Sequence, residues 1–116
     1  MEKFMFIFRG GVNHAHNAND TEAAAKNMQA WMTWMGSLAR NGTLVSTDPL
    51  QPTGKQVNGK NKVVTDGAYA EANEMIGGYL IVNAKDIDDT VEISKGCPIF
   101  NEDGKVEVRP IQKMEM

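Results

Sequence analysis

The chain has 116 residues, 12 of them basic and 15 acidic, with a formal net charge of −3 and a single cysteine. That length predicts one domain over residues 1–116, because two would each be too small for a core of their own. Mild acidity excludes the Lys/Arg footprint of a nucleic-acid binder, and one cysteine excludes an intramolecular disulfide, as in a reducing cytoplasm. A 41% hydrophobic and 23% charged composition is that of a folded domain rather than a disordered one.

Phe4-Met5-Phe6-Ile7-Phe8 is a continuous apolar run closed by Arg9-Gly10-Gly11. It predicts a strand buried on both faces, followed by a loop through His16 and Asn17. The run is far short of the roughly 20 residues that cross a bilayer. It is also too short for a secretory signal, so the expected location is the cytoplasm. The Asn19-Asp20-Thr21 and Asn41-Gly42-Thr43 triplets therefore read as polar turns, not glycosylation sites.

Asn19-Asp20-Thr21-Glu22 resembles a capping box and opens the clearest helix. At 100° per residue, Ala24, Met28, Trp31, Met32, Met35, Leu38 and Ala39 form its apolar stripe, with Trp34 at the edge. Asn41-Gly42 stops it. Thr43 to Ser46 is β-prone, and two short strands follow around Lys55–Asn58 and Lys62–Thr65, joined at Asn58-Gly59 as by a tight turn. Met75 to Asn83, which includes Gly77-Gly78, is a further apolar strand. A second helix opens at Asp86, with Ile87, Thr90, Val91 and Ser94 expected inward, and ends at Lys95-Gly96 before Cys97-Pro98. Val106, Val108 and Ile111 alternate with Glu107 and Arg109 in a last strand near an edge. The order predicts an α+β fold: a ferredoxin-like split βαβ with an antiparallel sheet and helices on one face. The uncovered face would be buried in a dimer.

Few residues nominate themselves for chemistry. His14 and His16 lack a third ligand at a recognisable spacing, so no metal is expected. Cys97 has no identifiable base and reads as a buried structural thiol. The glycine pairs lack the Lys-Ser/Thr or third glycine of nucleotide loops; they predict a bulge or a close backbone approach. No cofactor is expected. Asp66 to Tyr69 is the densest polar turn. There Asp66 is a candidate acid/base, or simply a turn cap bonded to its own backbone. Arg9 is a candidate anion anchor, since guanidinium matches carboxylates bidentately. With Ser46, Asp48, Tyr69 and Tyr79 these residues would line a pocket between sheet and helices.

Val64-Thr65-Asp66-Gly67-Ala68-Tyr69-Ala70-Glu71 and Glu74-Met75-Ile76-Gly77-Gly78-Tyr79-Leu80-Ile81 carry a more specific signal. They closely resemble the central signature of the DGPF-type branch of the YCII-related domain family, Asp-Gly-Pro-Phe-x-Glu-x-x-Glu followed by Gly-Gly-Phe or Gly-Gly-Tyr. The flanking segments are similar too, so the resemblance covers nearly the whole chain. Ala68 and Tyr69 replace the branch's proline and phenylalanine. The first helix has no histidine for the histidine–aspartate pair credited to the parent branch, and His14 and His16 do not take its place. The resemblance implies a dimeric α+β barrel of uncharacterised function; some members accompany alternative sigma factors. Three readings compete: a small-molecule pocket with Asp66-based catalysis, a non-catalytic module that senses a ligand or contacts a regulator such as a sigma factor, and a stable dimer with no specific ligand.

Overall fold

A computed structural model describes residues 1–10, 21–67 and 74–114. The chain runs β1 (Glu2–Arg9), α1 (Thr21–Arg40), β2 (Leu44–Pro49), β3 (Lys55–Asn58), β4 (Val63–Asp66), β5 (Ile76–Ala84), α2 (Ile87–Ser94), a 3-10 turn (Pro98–Glu102) and β6 (Lys105–Pro110). Four strands form an antiparallel sheet in the order β2-β5-β1-β6, and β3 and β4 form a separate hairpin. Setting the hairpin aside, β5 lies between β1 and β2, and β1 lies between β5 and β6. That is the expected split βαβ arrangement, made twice.

Strand periodicity explains why one face takes the core. Phe4, Phe6 and Phe8 point to the same side as Leu80, Val82 and Ala84, and all are buried. Trp31, Trp34, Met35 and Leu38 of α1 pack on them, joined by Ile93, Val106 and Val108. Trp34 stacks on Phe6 with centroids 6.2 Å apart and planes 21° apart, and Trp31 meets Phe8 edge-on at 5.1 Å. These ring arrangements add to what area burial alone supplies.

Both helices are rotated from their expected phase. On α1 the buried arc centres between Trp31 and Trp34, about 50° from the predicted stripe; Met28 and Met32 stay more than 60% exposed. Both indoles pack on the phenylalanine rings, Trp34 stacked and Trp31 edge-on, and flexible methionines tolerate water more cheaply than indoles do. On α2, Thr90 and Ser94 are buried while Ile87 and Val91 are exposed. Their hydroxyls bond back within the helix, Thr90 Oγ1 to the Asp86 carbonyl at 2.8 Å and Ser94 Oγ to that of Val91 at 2.7 Å, so they enter the core satisfied.

The helix ends follow their sequence signals. Asp86 caps α2 by accepting from the Asp89 amide at 2.8 Å. Gly42, at φ +73°, closes α1 with its amide on Ala39 while Thr43 N–H reaches Leu38, the paired bonds of a Schellman motif. The β3–β4 connection is wider than the expected tight turn: it spans residues 59–62 and places both Gly59 and Lys62 at positive φ. Strand β1 is buried on one face only, since Met5, Ile7 and Arg9 on the other remain partly exposed.

Candidate functional site

The same alternation that sends Phe6 and Val82 inward sends a second set of side chains to the face without helices. Cross-strand register aligns Asp48 of β2, Tyr79 of β5, Ile7 of β1 and Glu107 of β6 in one row across the sheet. The neighbouring row is Ser46, Ile81, Met5 and Arg109. Arg9 follows at the end of β1, opposite Lys105. The expected pocket between sheet and helices is therefore not where these residues meet: that space is filled by the aromatic core. Arg9, Ser46, Asp48 and Tyr79 share the open face instead.

Two polar groups flank its apolar middle of Met5, Ile7 and Ile81. At one side Tyr79 Oη donates to Asp48 Oδ2 at 2.6 Å. The bond and the carboxylate's charge keep the phenol protonated above its usual range. At the other side Arg9 Nε donates to Glu107 Oε1 at 3.2 Å and Arg9 Nη1 to the Glu74 carbonyl at 3.1 Å. These contacts use two of the five guanidinium donors. Arg109 Nη1 reaches the second Glu107 oxygen at 3.3 Å. Arg9 first and Arg109 next thereby hold the Glu107 carboxyl below its ordinary range. Lys105 Nζ pairs with Glu74 Oε1. Arg9, Glu74, Lys105, Val106 and Glu107 enclose an open depression of about 520 Å³ at this corner.

A chain irregularity shapes the corner. The β1–β5 register slips between Phe8 and Arg9, so that Phe8 faces Gly78 while Arg9 faces Ile76. Gly78 also answers the close-approach expectation, since a Cβ there would come within 2.9 Å of the Asp48 carbonyl oxygen. It lets β2 lie tight against β5 and carries Asp48 to the Tyr79 hydroxyl.

Asp66 stands apart. It ends β4 on the hairpin, pairs with Lys55 Nζ at 2.6 Å and is largely exposed. Within the described residues it meets none of the sheet-face groups. Tyr69, His14 and His16 lie outside the described residues. Cys97 is buried beside a second open depression of about 700 Å³, bordered by Thr33, Trp34, Lys95 and Asn101. Burial pushes its thiol up to about 12, against a smaller opposing effect of the Ile99 amide. It is a structural thiol rather than a nucleophile. No His/Cys/Asp/Glu group able to hold a metal occurs among the described residues. Glu107, Lys105 and Glu74 were not nominated from the sequence. The alternation of Val106 and Val108 with Glu107 and Arg109 held the signal for β6, because valines turned inward oblige the charges to share the outer face.

One-sided helices over a β2-β5-β1-β6 sheet define a ferredoxin-like α+β domain with a polar row on its open face. The chain belongs to the YCII-related domain family, whose model matches residues 8–115. Among curated proteins, none matches it. Among solved structures it is similar to the 5-chloro-2-hydroxyhydroquinone dehydrochlorinase of Burkholderia phenoliruptrix AC1100, in complex with 2,5-dihydroxybenzoquinone. The two share 14% identity over 94% of this chain and 93% of that one, with a TM-score of 0.50, a likeness of fold.

Proposed function

We propose that this chain is a DGPF-type YCII-related domain that binds a small organic molecule on the open sheet face, in a dimer that buries that face. The observation that carries the reading is the row from Asp48–Tyr79 through Ile7 to Glu107, with Arg9 beside it. Adjacent strands are about 4.8 Å apart, so Asp48 on β2 and Arg9 on β1 stand two strand spacings, about 10 Å, apart across the face. That span suits one flat ring bearing oxygen substituents at both ends. The ring would rest on Ile7 and Ile81. A hydroxyl at one end would meet the Asp48 carboxylate and Tyr79 oxygen, and an anionic oxygen at the other would take the remaining Arg9 donors. Ser46 flanks the acid–phenol end.

Chemically, this arrangement suits proton movement on a hydroxylated ring. Asp48 accepts the proton of a ligand hydroxyl while Tyr79, kept protonated, holds the carboxylate in place. The dehydrochlorinase complex, with its bound dihydroxybenzoquinone, favours a ring of this kind as the first probe. Asp66, expected as the acid/base, pairs with Lys55 on the hairpin and has no part in this reading within one chain.

Calorimetric titration with 2,5-dihydroxybenzoquinone tests the proposal. The expected result is saturable binding by the wild-type chain, weakened about tenfold or more in both Tyr79→Phe and Arg9→Met, each removing a charge-assisted hydrogen bond. Absence of binding by any oxygenated aromatic ring, or wild-type affinity in either variant, would sink the reading.

A further inference from the structure

The β3–β4 hairpin is the least explained part of the chain. All eight of its strand residues are exposed, and it has no substantial packing against any other described element. Val57 and Val64 face each other in register, 66% and 58% exposed, on the same side as the Lys55–Asp66 pair. A two-stranded hairpin that packs on nothing is at best marginally stable in water, so these valines call for a covering surface.

A second copy of the chain supplies one. The chain is a slab 48 × 43 × 18 Å, one sheet and one helix layer thick. Its open face has a footprint of about 400 Å² from four strands at about 4.8 Å spacing and six residues at about 3.3 Å rise. A stable pair buries about 800 Å² per partner, so the open face by itself is a lean interface. The hairpin adds about a third of that footprint again.

Charge and topology fix where it would lie. Stacking two open faces about a two-fold axis along the strands sets β2 of one copy over β6 of the other. Asp48 then faces the β6 edge, where Lys105 and Arg109 flank the Glu107 of its own row, whereas an axis across the strands would stack like edge on like edge. The hairpin leaves the sheet where β2 ends at Pro49 and β5 begins at Ile76. Arg9 and Lys105 lie at that same end. A two-fold axis along the strands keeps the end common to both copies, so each hairpin stands at the other copy's β1–β6 corner.

We propose that the hairpin is an arm: its Lys55, Val57, Val64 and Asp66 side lies on the β1–β6 corner of a second copy and brings Asp66 to that copy's Arg9 and Lys105. The inference rests on the face-to-face dimer proposed above, and it makes each binding face incomplete without its partner's arm.

Sedimentation equilibrium of the full chain across the micromolar range, with amide hydrogen exchange, tests it. The wild-type chain should be a dimer whose 55–66 amides lose protection on dilution. Val57→Asp with Val64→Asp should raise the dimer Kd by about a hundredfold, with unchanged Trp31 and Trp34 fluorescence showing that the fold persists. In mixed light- and heavy-nitrogen protein, carbodiimide should join Asp66 to Lys105 between chains. If the paired variant dimerises as tightly as wild type while Ile81→Asp does not, the arm is overturned and the face-to-face dimer stands. Linkage of Asp66 only to Lys55 of its own chain, or an arm protected equally in a monomer, also overturns it. A wild-type chain that is monomeric throughout removes both readings.

Discussion

Tyr79 gives its phenolic hydrogen to Asp48, and that single bond sets two measurable properties. Donation to the carboxylate comes first, then desolvation and the negative charge, in raising the phenol's pKa above 10.0. A group whose folded pKa is raised contributes stability that is complete below its unfolded value and is lost as pH rises through the folded value. Ultraviolet titration should therefore show one tyrosine ionising late, and Asp48→Asn should return it toward 10.0. Glu107 runs the opposite way, because Arg9 and Arg109 lower it from 4.5. Its contribution is present above that value and lost as pH falls through the folded one. Carboxyl-carbon NMR should find that Arg9→Ala relaxes Glu107 further toward its ordinary range than Arg109→Ala does. Arg9, Ser46, Asp48 and Tyr79 were each legible as candidates from residue type. Their sharing of one face was not, since it depends on a register slip at Arg9 and an irregular β2–β5 pairing after Leu44.

Strands and helices carried different amounts of that legibility. A strand's period of two leaves little freedom, so the Phe4-Phe6-Phe8 alternation names the core face outright. Its partner face, Met5 and Ile7, is equally apolar in sequence, yet no helix among the described residues covers it. A helix can instead rotate by half a residue's arc at small cost, and both helices here did so to satisfy large or hydroxyl-bearing side chains. Removing the ring of Phe6, which is 0% exposed and stacked on Trp34, should cost about 3–5 kcal/mol in urea unfolding. Gly78→Ala should cost about 2–3 kcal/mol, because its Cβ meets backbone, the Asp48 carbonyl oxygen, rather than a side chain that can swing away. The same variant should also weaken the Tyr79–Asp48 bond, read as a tyrosine ionising earlier.

At the scale of the whole molecule, no helix among the described residues is long and apolar enough to cross a membrane. Among the described residues, one sheet with helices on a single side leaves an apolar floor, a polar row and an exposed hairpin, the three features on which the proposed second copy rests. The order of elements, the capping signals at Asp86 and Gly42, the identity of the Phe4–Phe8 core strand and the family resemblance were all determined by the sequence alone. They rest on local backbone preferences and short periodicities, which nearby residues suffice to express. Which way each helix turned, which face of the sheet stayed open, and that Asp66 sits on a separate hairpin away from Arg9 and Tyr79 were decided only by tertiary structure. Those outcomes depend on competition among side chains distant in sequence for one limited core, where the indoles of α1 took the place of Met28 and Met32.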